Sequence, residues 1–90
     1  MTTNHVHDIY SVFADTARRR PRHPAVIYLG NQFSYGLIKN LAGRFAAALS
    51  GLGIESGQKV MMYIPNSVQW VVSWLGIQKL GAVAVPITPI

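Results

Sequence analysis

At 90 residues the chain has room for one small domain, which would bury about 60 to 65% of its unfolded surface, yet half of its residues are hydrophobic and only 12% are charged. That charged share is about half of the usual ~25% and suits protein interior better than a free-standing globule. Eight Lys and Arg against three acids give +5, and the absence of cysteine excludes a disulfide framework or a thiolate metal site. The basic balance raises nucleic acid or an anionic membrane as a partner, but only Arg18, Arg19, Arg20 and Arg22 cluster, so the distribution argues against it.

Residues 1–8 lack a basic start followed by an apolar core, so nothing there reads as an export signal and a cytoplasmic location is the expectation. Ile9, Val12, Phe13 and Thr16 or Ala17 then share one helical face, with Asn4 or Thr3 available as caps. Arg18, Arg19 and Arg20 suit the negative end of that helix, and Pro21 stops it. His5, His7 and Asp8 raise a metal site, but helical residues two apart point in different directions and no further ligand is at hand.

Residues 25–29 read as a strand, with Gly30-Asn31 as a two-residue hairpin turn and residues 32–35 as the returning strand. Ser34 is placed to cap a helix that starts at Tyr35 or Gly36 and runs to about Leu52. Its apolar residues Leu37, Ile38, Leu41, Phe45, Ala48, Leu49 and Leu52 fit the helical period, Lys39, Asn40 and Arg44 fall on the wet side, and Gly53 ends it. Gly51, Gly53 and Gly57 approach a dinucleotide fingerprint, but a helix precedes them, a strand follows, and the last gap is one residue too long. They are read as a helix stop and a tight turn.

Residues 57–90 organise the rest. An apolar strand over residues 60–64 ends at Pro65, Asn66 or Ser67 caps a helix over residues 68–80, Gly81 terminates it, and a second apolar strand follows over residues 82–85. Val68, Val71, Val72, Leu75 and Leu80 set the helical stripe, widened by Trp70, Trp74 and Ile77. The expectation is a right-handed βαβ unit with parallel strands. Parallel strands need cover on both faces and one crossover helix supplies one, so the unit calls for more protein than these residues contain. The uncharged run over residues 60–78 approaches membrane-spanning length but is interrupted by Pro65, Asn66, Ser67, Gln69, Ser73 and Gln78. No nucleophile elbow, Walker loop or His-Glu-x-x-His is present. Trp70 and Trp74, four apart, are read as packing residues in preference to an aromatic floor for a ligand.

The order of these pieces resembles one family. Phe13-Ala14-Asp15-Thr16-Ala17, Pro24-Ala25-Val26, Phe33-Ser34-Tyr35, Leu52-Gly53-Ile54, Gly57-Gln58-Lys59-Val60, Ile64-Pro65-Asn66-Ser67, Trp70 and Gly81-Ala82-Val83-Ala84-Val85-Pro86 follow one another as at the N-terminal end of AMP-forming adenylating enzymes, which include the acyl-CoA synthetases. Leu37 departs from an acidic residue frequent there, Gly43 from an Asn, and Gln58 from the usual Asp of the turn.

The resemblance implies an α/β fold class: residues 1–90 as the N-terminal fragment of an AMP-binding domain, with no complete second domain. It implies an ATP-dependent ligase that activates a carboxylic acid, most like a fatty acid, as acyl-adenylate and passes it to coenzyme A. The phosphate loop and catalytic lysine of such enzymes lie downstream of a segment like this one, so no catalytic, cofactor-binding or metal residue is assigned and the fragment alone is expected to be inactive. Mg-ATP and coenzyme A belong to the full-length enzyme, and the partner expected here is the remainder of the same polypeptide, with no nucleic acid and with peripheral membrane contact left open. Two other classes compete: a non-catalytic interaction module derived from this family, and a basic domain that binds nucleic acid or a membrane surface.

Overall fold

The computed structural model describes residues 9–65 and 67–87. Their order is α1 (Ile9–Arg19), β1 (Pro24–Tyr28), β2 (Asn31–Ser34), α2 (Tyr35–Gly51), β3 (Lys59–Met62), α3 (Val68–Leu80) and β4 (Val83–Pro86). The element types and their order match the sequence reading. The proposed caps at Thr3, Asn4 and Asn66 lie outside the described residues.

α1 turns only part of its expected face inward: Phe13 and Ala17 pack as expected, and Ile9 and Val12 do not. Ile9 and Val12 are 54% and 57% exposed, while Ala14 and Ala17 are buried and Tyr10 and Phe13 pack on the core. Small residues on the contact line let this helix approach α2 and α3, and the Phe13 ring then meets Tyr35 at 5.7 Å and Tyr10 at 6.0 Å.

β1 and β2 form an antiparallel hairpin whose turn lies one residue earlier than expected, at Leu29-Gly30. Both residues have positive φ, 52° and 81°, as a type I′ turn requires. A turn at Gly30-Asn31 would set Phe33 opposite Tyr28. The observed register sets it opposite Val26 instead, and both of these side chains pack on the core cluster of Ile38, Ala42 and Leu75.

Ser34 caps α2 as expected, its hydroxyl accepting from the Leu37 amide at 3.2 Å. The buried stripe of α2 is Ile38, Ala42 and Ala46; Leu37, Ala48 and Leu52, all expected inside, are exposed. Alanines replace bulkier residues on that stripe because α3 crosses closely there. A Cβ on Gly76 would lie 2.8 Å from Phe45 Cδ2 and 2.9 Å from the Ala42 carbonyl oxygen, so only glycine fits the crossing.

β3 and β4 are parallel, with Lys59 opposite Val83 and Met62 opposite Pro86, and α3 connects them. β3 ends at Met62, two residues short of the expected strand, and β4 begins one residue later and runs one further, through Pro86. Pro86 needs no donor there, because the next amide, Ile87, donates to the Met62 carbonyl at 2.8 Å. Met62, Val60, Ala82 and Ala84 pack with Ile77 of α3. Met61, Tyr63, Val83, Val85 and Ile87 are exposed, so one face of this sheet is covered and the other is bare.

Candidate functional site

The glycines near residue 53 are turn residues, as the sequence suggested. Gly53 and Gly57 have φ of 95° and 87°, and Gly81 has 83°, all in the left-handed region that favours glycine. The Gly57 amide donates to the Gly81 carbonyl at 2.9 Å, and the Val83 amide donates to Gln58 at 2.7 Å, which binds the entrances of β3 and β4 together. The side chain of Gln58 accepts from the Glu55 amide at 2.7 Å, so this glutamine closes the turn.

The N-termini of α2 and α3 are capped by their own side chains: the Ser34 hydroxyl accepts from the Leu37 amide and the Ser67 hydroxyl from the Trp70 amide, both at 3.2 Å, which takes up part of the free amides an anion would use there. Among the described residues, no group of three His, Cys, Asp or Glu side chains could hold a metal ion. His5, His7 and Asp8 lie outside them. No described helix is long and apolar enough to cross a membrane.

Arg18 and Arg19 both pair with Asp15, at 2.7 and 3.1 Å, in exposed geometry. The arginine cluster is thus partly neutralised by its own helix. Trp70 and Trp74 stack at 6.2 Å with an interplanar angle of 10° and are half-buried; Trp70 packs on the Met62 cluster, and Trp74 on both core clusters. Both therefore pack on the core, and both also line a smaller groove of about 340 Å³ beside Phe13 and Val26.

What sequence reasoning missed is a groove of about 730 Å³ between the hairpin, α2 and α3. Tyr28 and Phe33 form its hairpin wall, Leu37, Leu41 and Phe45 its α2 wall, and Val68 and Val72 its α3 wall. Its polar lining is Arg44, Gln69 and Ser73. Ser73 is only 7% exposed, and its hydroxyl has no hydrogen-bond partner among the described residues. Leaving such a group unpaired costs about 1 to 3 kcal/mol. The signal was present in Leu37 and Leu41, which continue the apolar side of α2 beyond the stripe needed for its core contact.

Residues 13–90 match the AMP-binding enzyme family. The chain belongs to that family. Among relatives of this AMP-binding chain, a syringomycin synthase, SyrB1, of Pseudomonas syringae pv. syringae is 38% identical over 81 residues, which are 90% of this chain and 13% of that protein. A salicyl-AMP ligase / salicyl-S-ArCP synthetase of Mycobacterium tuberculosis is 37% identical over 84 residues, 88% of this chain and 15% of the relative. A solved Mycobacterium tuberculosis fatty acyl CoA synthetase superposes with a TM-score of 0.83 at 36% identity, covering 90% of this chain and 16% of that one. The AMP-binding chain therefore spans less than a sixth of the length of each of these two sequence relatives.

Proposed function

We propose that residues 1–90 are the N-terminal part of an AMP-binding domain, completed by further residues of the same polypeptide, and that the whole protein is an ATP-dependent acid–CoA ligase. The observation that carries the reading is the bare outer face of the β3/β4 sheet in a chain that matches adenylate-forming enzymes over residues 13–90. Parallel sheets are covered on both faces in folded α/β proteins, so a second layer is called for.

In the reaction, a carboxylate oxygen of the acid attacks the α-phosphorus of Mg-ATP and the bond to pyrophosphate breaks, giving acyl-adenylate. The thiolate of coenzyme A then attacks the acyl carbonyl, and AMP leaves. No residue of this segment is assigned to either step, and Mg-ATP and coenzyme A are held by the rest of the enzyme. The 36% identity to a fatty acyl CoA synthetase supports a fatty acid and coenzyme A as the substrates. The salicyl-AMP ligase supports a second version, in which a carrier protein takes the acyl group. A cytoplasmic location, no nucleic-acid partner and at most peripheral contact with a membrane complete the reading.

The test is acid-dependent pyrophosphate release by the protein at its natural length, with fatty, aryl and amino acids compared and thioester formation followed with coenzyme A. Fatty acids are expected to be preferred, and residues 1–90 alone to release none. Release by the 90-residue chain alone contradicts the assignment of the chemistry to other residues.

A further inference from the structure

Ile9 and Val12, which the helical period of α1 puts inside, lie outside at 54% and 57% exposure. The same helix ends in Arg18 and Arg19 and runs on into Arg20, Pro21, Arg22 and His23, all of them exposed. Val12 and Arg19 are seven residues apart, close to two helical turns, so they stand on one line along the outer side of α1. That side therefore carries an apolar beginning and a basic end. Asp15, between them, is the one acid in residues 9–54, and Arg18 and Arg19 share it at 2.7 and 3.1 Å. Arg20 and Arg22 have no ion pair among the described residues, and the four arginines less this aspartate leave +3 on the segment.

We propose that the outer side of α1 and the arginine turn after it bind an anionic membrane surface. Ile9 and Val12 enter the boundary between headgroups and acyl chains, and Arg18, Arg19, Arg20 and Arg22 face the lipid phosphates. The charge decides between this occupant and a further layer of protein. A protein layer laid over the end of α1 strips water from four guanidiniums with one carboxylate to answer them, which is costly unless each charge is paired. A headgroup layer is wet and anionic, so it attracts the same arginines without dehydrating them. The sequence alone argued against a membrane because the basic cluster is small; the exposure of Ile9 and Val12 supplies the apolar half of the contact. Binding of this kind is peripheral and reversible, in keeping with the lack of any described helix long and apolar enough to cross a membrane. The proposal rests on the peripheral membrane contact included in the proposed function, gives it a place, and is independent of the ligase chemistry.

The experiment is co-sedimentation of the protein at its natural length with vesicles of phosphatidylcholine alone and of phosphatidylcholine with one third phosphatidylglycerol, at low and at high salt. Binding is expected to the anionic vesicles only and to fall away as salt is raised. Replacing Arg20→Gln and Arg22→Gln together is expected to weaken the partition about 25-fold, from about fivefold for each charge near the surface. Both side chains are exposed and without ion pairs among the described residues, so the double variant keeps its fold. Val12→Ser is expected to weaken it severalfold while the preference for anionic lipid stays. The control removes the same net charge elsewhere, with Arg44→Gln and Lys59→Gln, both exposed, and should bind nearly as the parent does. No binding to anionic vesicles, or equal loss in the control and in the Arg20 and Arg22 variant, overturns the proposal. So does retention of a single-stranded RNA under salt at which the vesicles are not bound. Pyrophosphate release in vesicle-free buffer reports on the ligase reading separately: retained release without vesicle binding sinks the membrane surface alone.

Discussion

Replacing Met61 by lysine measures whether the outer face of β3/β4 is covered in the protein at its natural length. Met61 is 68% exposed here, so roughly two thirds of its surface is still to be buried by a second layer. Full burial of a methionine is worth about 1.5 to 3 kcal/mol, which makes the apolar loss on substitution ~1 to 2 kcal/mol. An ammonium taken out of water without a partner adds several kcal/mol more. The expected total is at least about 3 kcal/mol, against ~0.5 kcal/mol or less for a site that stays in solvent. Ala47→Lys on the exposed side of α2 is the control and should stay near the parent. The assay is urea unfolding of the three proteins, comparing midpoints at a common slope. A Met61→Lys protein as stable as the control would refute the idea that another layer of the same polypeptide covers this sheet.

The crossing of α2 and α3 predicts opposite signs for two glycine-to-alanine changes. Gly76→Ala gains about 1 kcal/mol in helix propensity but drives a Cβ to 2.9 Å from a backbone oxygen, so a net loss of up to ~2 kcal/mol is expected, whereas Gly51→Ala meets nothing within 4 Å and should be neutral or stabilising in thermal unfolding. Ser67→Ala removes the cap of α3 and should cost about 1 kcal/mol, most of which Ser67→Asp restores in the same measurement. Asp15→Asn loses both ion pairs of α1 yet, because they are exposed, should change stability by less than about 1 kcal/mol, with a difference from the parent that shrinks as salt is raised.

Elements fixed by local chemistry were legible in the sequence, and those fixed by a neighbour were not. Ser34 and Ser67 before apolar periods, and Gly53 and Gly81 after them, bounded α2 and α3 to within a residue or so. The parallel β3/β4 pair followed from strand, helix and strand lengths alone. The hairpin turn was placed one residue late, which shifts the pairing by two, because Gly30 serves equally well as the first or the second turn residue; what decides is the packing of Phe33 beside Val26 on α2 and α3. The inward face of α1 was read correctly at Phe13 and Ala17 and wrongly at Ile9 and Val12 for a related reason. Periodicity ranks Ile9 and Val12 by hydrophobicity, but a tight helix contact selects small side chains, here Ala14 beside Ala17. The groove was missed because the surplus apolar residues Leu37 and Leu41 were assigned to the core stripe of α2, and only α3 and the hairpin standing around them show that they line an open groove.

The hydrogen bonds between strand entrances set which end of the β3/β4 sheet is closed. Ser56, Gly57 and Gln58 lead into β3, and Gly81 to Val83 into β4; the Gly57 amide, the Val83 amide and the Ser56 hydroxyl all bond across this end, at 2.9, 2.7 and 3.4 Å. A Cβ on Gly81 would lie 2.7 Å from Ser56 Oγ, so the two loops are in contact and leave no room for a ligand. In open α/β sheets, ligands sit beyond the carboxyl ends of the strands. Here that is the opposite end, where Tyr63 to Pro65 leave β3 and Ile87 leaves β4. The segment thus sets the register of two parallel strands, seals their entrances and aims both exits the same way.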